Sequence, residues 1–206
     1  MNVKHRWAIS LWLVSAWLGA AAVIAAPMPP KELVEQTAND VIAKLKKERA
    51  QIDKNPQMLY PFVEKYVLPH FDFERMAKWV LGRSWRDASA AQQQRFIGEF
   101  RQLLVRTYAS SLMEYSERNI RYLPFRAAPN AAEVTVRSEV EQPGGFPIPI
   151  SYELYLKDDR WMVYDVAIDN QSLIGNYRTS FAREIKQGNI DQLINKLADR
   201  NKQGKS

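Results

Sequence analysis

The sequence predicts an α+β fold, with a helical first half, a four-stranded antiparallel sheet and closing helices. Three observations carry this. Apolar residues recur every three or four positions as far as Tyr115. From Glu133 the pattern switches to strict alternation, as in half-buried antiparallel strands. From Leu173 the helical spacing returns. Strands grouped between runs of helices belong to α+β rather than alternating α/β architecture.

Each element has its own signals. Leu33, Val34, Thr37, Val41, Ile42 and Leu45 make an amphipathic helix after Pro29 and Pro30, and "KLKKERAQIDKN" closes it as a solvated face. Asn55-Pro56 reads as N-cap and first turn of a helix carrying Leu59, Phe62, Val63, Tyr66 and Val67. Asp72 can cap a short helix that Gly82 ends. Ser89 is the N-cap of the longest helix, with Phe96, Phe100, Leu103, Leu104, Tyr108, Leu112 and Tyr115 along it. "NIRYLPFRA" is a first strand, at an edge because of Pro124. "AEVTVRSEVEQ" and "IPISYELYLK" follow, joined by "PGGFP". Asp158-Asp159 turns the chain into "WMVYDVAI". In that strand Met162, Tyr164, Val166 and Ile168 form the longer apolar row, with Asp165 on the opposite face. Asn170 or Ser172 caps "SLIGNYRTSFAREIKQ", Gly188 stops it, and "NIDQLINKLADRN" is a last amphipathic helix.

The N-terminus has a different purpose. Lys4 and Arg6 precede an uncharged apolar run, Trp7 to Ala26, that ends in small residues. This reads as a signal peptide over residues 1–25, cut after Ala25. The mature chain is then one α+β domain, residues 26–201, helical over 26–118, sheet over 119–169 and helical over 170–201. Residues 202–206 form a frayed tail. The chain holds 29 Lys and Arg against 23 Asp and Glu. Losing Lys4 and Arg6 brings the excess of six down to four. The charges are interspersed, so no nucleic-acid partner is expected. There is no cysteine, which excludes thiolate catalysis and thiolate metal sites. His70, the one histidine after the leader, cannot make a His-rich zinc site. No G-x-S-x-G elbow or Gly-rich phosphate loop is present. Asp165 could serve as a general base, or could pair with an Arg or cap a helix. Arg178 flanks the apolar stripe Leu173–Tyr177–Phe181, where it could reach water or hold a phosphate.

Two stretches resemble the MlaC, or toluene-tolerance, family of Gram-negative periplasmic phospholipid carriers. One is "YPFVEKYVLPHFDFERMAKWVLGRSWRDASAAQQQRFIGEF"; the more specific is "VYDVAIDNQSLIGNYRTSF". The likeness spans nearly the whole mature chain. It implies a nuclear-transport-factor-2-like core with a curved sheet and a deep apolar cavity, and a head group near the mouth. It also implies transfer between an outer-membrane lipoprotein–porin complex and an inner-membrane ABC lipid transporter, so that outer-membrane lipid asymmetry is maintained. Burying each CH₂ is worth roughly 0.8 kcal/mol, so two acyl chains represent on the order of 20 kcal/mol of gross transfer energy. A carrier must match much of that in a cavity with few polar groups.

The resulting expectation is a monomeric, non-enzymatic periplasmic lipid carrier with phospholipid as ligand and no cofactor or metal. Val63, Val67, Phe100, Leu104, Tyr108, Tyr152, Leu154, Val166, Leu173, Tyr177 and Phe181 are expected to line the acyl cavity, and Arg178 to meet the head group. Two other readings compete. One is an isomerase-type enzyme with Asp165 as base and Tyr164 or Tyr152 as hydrogen-bond donor. The other is an envelope interaction module with a solid core.

Overall fold

The computed structural model describes residues 27–128 and 130–203. The expected leader, residues 1–25, and residues 204–206 of the expected tail lie outside them.

Helix α1 (Pro30–Lys54) begins at a proline, which suits a first helical position because that N–H has no intrahelical partner. Its buried face carries Val34, Val41, Leu45 and Ile52. Asn55 caps a 3₁₀ turn (Pro56–Met58) by accepting from Gln57 N, and α2 (Leu59–Tyr66) follows. A second 3₁₀ turn, Leu68–His70, leads to Asp72, whose Oδ1 accepts from Arg75 N at 2.9 Å and caps α3 (Phe73–Leu81). Gly82 ends α3 with φ of +54°, a conformation open to glycine, and the chain re-enters a short α4 (Arg83–Asp87). Ser89 and Gln92 form a capping box at the start of α5 (Ala90–Tyr115).

The sheet runs β1 (Ile120–Tyr122), β2 (Glu133–Val140), β3 (Ile148–Lys157), β4 (Arg160–Ile168) and β5 (Gln171–Ser172). Sequence order is also spatial order, and every pair is antiparallel. The structure adds to the expected four strands a fifth of two residues. Asp158 and Asp159 both have positive φ, 48° and 59°, which is the mirror-image turn that tight hairpins favour. Helices α6 (Leu173–Gln187) and α7 (Ile190–Gln203) complete the chain. Helix α7 continues through Lys202 and Gln203, which were expected to fray. Asn201 anchors this end, its Nδ2 donating to Glu99 O at 2.9 Å and Glu99 Oε2 at 2.8 Å.

One expectation about the sheet is corrected. Ile150 pairs with Ile168 and Tyr152 with Val166, but after Glu153↔Asp165 the register shifts and Leu154 pairs with Val163. Tyr164 is the extra residue of a β-bulge, which changes the phase of alternation. Trp161 and Val163 therefore share the inner face with Val166, while Tyr164 joins the helices on the other side.

Packing falls into three clusters. Phe96, Phe100, Phe181, Leu193, Ile194 and Leu197 bind α5, α6 and α7 together, with Tyr164 and α3 at the edge. Leu45, Ile52, Phe62 and Val105 join α1, α2 and α5. Val34, Val136, Leu154 and Val163 join α1 to the inner face of the sheet.

Candidate lipid-binding site

Between that inner face and the helices the packing is incomplete. Two apolar cavities remain, of about 180 Å³ and about 230 Å³. The first lies under α1, where Leu33, Val34, Thr37, Ala38, Val41 and Ile42 form the roof. Its floor is Ile120, Val140, Leu154 and Val163 of the sheet, with His70 at the side. The second lies under α2 and α5, between Val63, Leu104, Val105 and Tyr108 above and Val166 and Ile168 below. Leu173, the first residue of α6, closes one corner. Val67, Phe71, Leu112, Tyr115, Ile150 and Tyr152 touch both spaces. The cavities are thus two adjoining lobes that share a wall.

The polar groups in these walls are muted. Burial pushes the Tyr152 phenol up from its ordinary value. The Tyr108 phenol is pushed up to about 12 by burial and by Tyr177 beside it. Burial pulls the His70 imidazole down, which favours its neutral form at pH 7. Neutral side chains of this kind can line an apolar space without leaving a charge unpaired.

Eight expected lining residues come together here. Val67 and Tyr152 touch both lobes, Leu154 the first, and Val63, Leu104, Tyr108, Val166 and Leu173 the second. Phe100, Tyr177 and Phe181 do not. Phe100 stacks on Phe96 at 5.5 Å and meets the rings of Tyr177 and Phe181 at 5.4 and 6.0 Å. Both stripes are real, but they face one another across the α5–α6 contact, and the aromatic side of α5 fills it. Tyr177 meets the cavity wall through a hydrogen bond with Tyr108.

Arg178, the residue expected to meet the head group, stands outside both lobes. It is exposed. Its Nη2 and Nε stand 3.8 and 3.9 Å from where a Cβ on Gly82 would be, at the turn between α3 and α4. Helix α6 presents Leu173 to the cavity and turns Arg178 away from it.

Asp165 caps α6. Its Oδ2 accepts from the Ser172 hydroxyl, its Oδ1 accepts from Ile174 N at 3.2 Å, and Ser172 Oγ in turn accepts from Gly175 N at 2.8 Å. Both carboxylate oxygens are engaged on the face away from the lobes. The bulge also turns Tyr164 away from the lobes, so neither it nor Asp165 faces them, whereas Tyr152 lines both. Among the described residues, no group of three or more His, Cys, Asp or Glu could hold a metal ion.

Sequence reasoning missed several wall residues. Leu33, Thr37, Val41 and Ile42 were visible as an apolar stripe, and Ile150, Leu112 and Tyr115 as inward positions, yet nothing distinguished a cavity wall from a packed core. Phe71 gave no periodic signal. It precedes the α3 cap, and its bridge to Val163 places it between the lobes.

An open antiparallel sheet with helices held off one face, around a two-lobed apolar space, defines a cavity-bearing α+β protein. The family model described as MlaC protein matches residues 35–199, and the chain belongs to that family. The intermembrane phospholipid transport system binding protein MlaC of Haemophilus influenzae is 23% identical over 195 residues, covering 93% of this chain and 91% of that protein. The toluene tolerance protein ttg2D of Pseudomonas putida is 25% identical over 167 residues, covering 81% of this chain and 77% of that protein. The phospholipid-binding protein of Ralstonia solanacearum, solved in complex with a phospholipid, superposes with a TM-score of 0.79 at 33% identity. That match covers 85% of this chain and 98% of the other.

Proposed function

We propose that this chain is a non-enzymatic periplasmic phospholipid carrier that takes acyl chains into the two lobes. The observation that carries the reading is the pair of adjoining apolar cavities, in a fold shared with a protein that holds a phospholipid. An apolar space of this kind offers few hydrogen-bond partners to water and suits apolar guests. A solid-core docking module would have no use for it. Export through the leader would place the carrier between the two membranes. There it would pass lipid between an outer-membrane lipoprotein–porin complex and an inner-membrane ABC transporter and so maintain outer-membrane asymmetry. It would work as a monomer without nucleotide or metal, since the chain itself only binds and releases.

Native mass spectrometry of the purified mature protein, followed by lipid extraction, tests this. Phospholipid retained in fixed stoichiometry is the expected result. A protein that comes free of lipid and takes none from vesicles would refute the carrier reading.

A further inference from the structure

A groove of about 320 Å³ opens beside the second lobe and shares Leu68, Phe71 and Phe73 with it. It continues the lobe along two helices. On α2 and at its end, Val63 and Val67 face the lobe, and Glu64 faces the groove. On α5, Leu104 and Val105 face the lobe, and Arg101, one turn earlier, faces the groove. A turn advances about 5.4 Å, a step matching the glycerol that separates a lipid's phosphate from its acyl chains.

The charges in this groove sort into a neutralised pair and a remaining pair. Lys157 Nζ lies 2.8 Å from Asp72 Oδ2, which also accepts from Tyr155, so Lys157 and Asp72 cancel. Among the described residues, Arg101 and Glu64 take part in no ion pair. Arg101 Nε is buried without a hydrogen-bond partner, and the guanidinium lies 5.8 Å from the Phe73 ring centroid. A guanidinium with no carboxylate partner, lining a groove beside an apolar cavity, is suited to an anionic oxygen. A carboxylate across the same groove disfavours a ligand that is only anionic.

We infer that this groove takes the headgroup of a zwitterionic phospholipid, with its phosphate on Arg101 and its ammonium toward Glu64. The inference rests on the carrier reading and adds to it a preference among lipids. A lipid with an uncharged glycerol headgroup would satisfy Arg101 but leave Glu64 facing a net negative ligand.

The test loads the mature protein from vesicles of equal phosphatidylethanolamine and phosphatidylglycerol and reads the retained lipids by native mass spectrometry. Wild type is expected to retain the ethanolamine lipid in excess. Glu64 is exposed, so its replacement should leave the fold intact. Glu64→Gln should lower the ethanolamine-to-glycerol ratio about threefold, within what one exposed charge pair supplies. Glu64→Lys should invert it. Arg101→Gln should reduce loading of both lipids about tenfold, as expected for a lost charged hydrogen bond. Inorganic phosphate added as competitor should change nothing, because the acyl chains supply most of the binding; displacement by phosphate would assign the groove to a free anion and overturn the headgroup site. An equal ratio in wild type and both Glu64 variants would also overturn it, leaving the carrier reading standing. Wild type that loads neither lipid would remove the carrier reading itself.

Discussion

Asp72 shows how one side chain can hold several elements. Burial would raise its carboxyl, but hydrogen bonds from Lys157, Tyr155 and Arg75 N outweigh that and hold it down at about 2. It caps α3, ties that helix to the end of β3 and stands beside the headgroup groove. A folded value below the ordinary 3.8 means the ionised form favours the folded state. That stabilisation is complete above the ordinary value and is lost as pH falls toward about 2. Asp72→Asn should therefore cost about 1–2 kcal/mol at pH 7, discounted for the half-exposed Lys157. Denaturant titrations at successively lower pH should show the gap to wild type closing between those two values. A pH-independent gap would mean that the amide fails for packing reasons instead.

At the scale of elements, the join between β4 and α6 turns a strand into a helix through Asp165, Ser172 and the two-residue β5. Asp165→Ala should lower stability by about 1 kcal/mol, as for other lost N-caps. Lipid loading should be retained, because neither oxygen faces the lobes. Loss of loading with unchanged thermal stability would return Asp165 to the binding site. Most elements and their caps were legible in the sequence, since Asn55, Asp72, Ser89 and Ser172 each announce a helix start. The bulge at Tyr164 was not. Trp161–Ile168 is apolar on both faces apart from Asp165, so it gives no local sign of where an extra residue falls, because partner register is a tertiary property. That single residue moved Trp161 and Val163 inward and Tyr164 outward. The α6 stripe was equally misleading, since Leu173, Tyr177 and Phe181 share spacing but only the first reaches the cavity.

The whole molecule sets a filled core among α5, α6 and α7 beside an unfilled one under α1, α2 and α5. The aromatic cluster around Phe100 and Phe181 is fully packed, whereas the space under α1 and α2 is not. Substitutions should separate the two. Phe100→Ala, at a position with 0% exposure, should destabilise by about 3–5 kcal/mol, while protein that remains folded still binds lipid. Leu112→Trp, at a position shared by both lobes, should keep the fold and block loading, as read by vesicle transfer of a fluorescent phospholipid. Equal loading in both variants would mean that the lobes are not where acyl chains go.

The divided cavity has a consequence for the lifetime of the protein. Side chains bordering an empty apolar space lack neighbours that a packed interior would supply, so the vacant form sits closer to local opening than the occupied one. A guest that binds only the folded chain adds its own binding energy to stability. On the carrier reading, occupancy would set how often the roof formed by α1 loosens, and proteases acting on opened chains would clear idle carriers faster than laden ones. The quantity of this protein would then follow the flow of lipid through it, with no dedicated sensor.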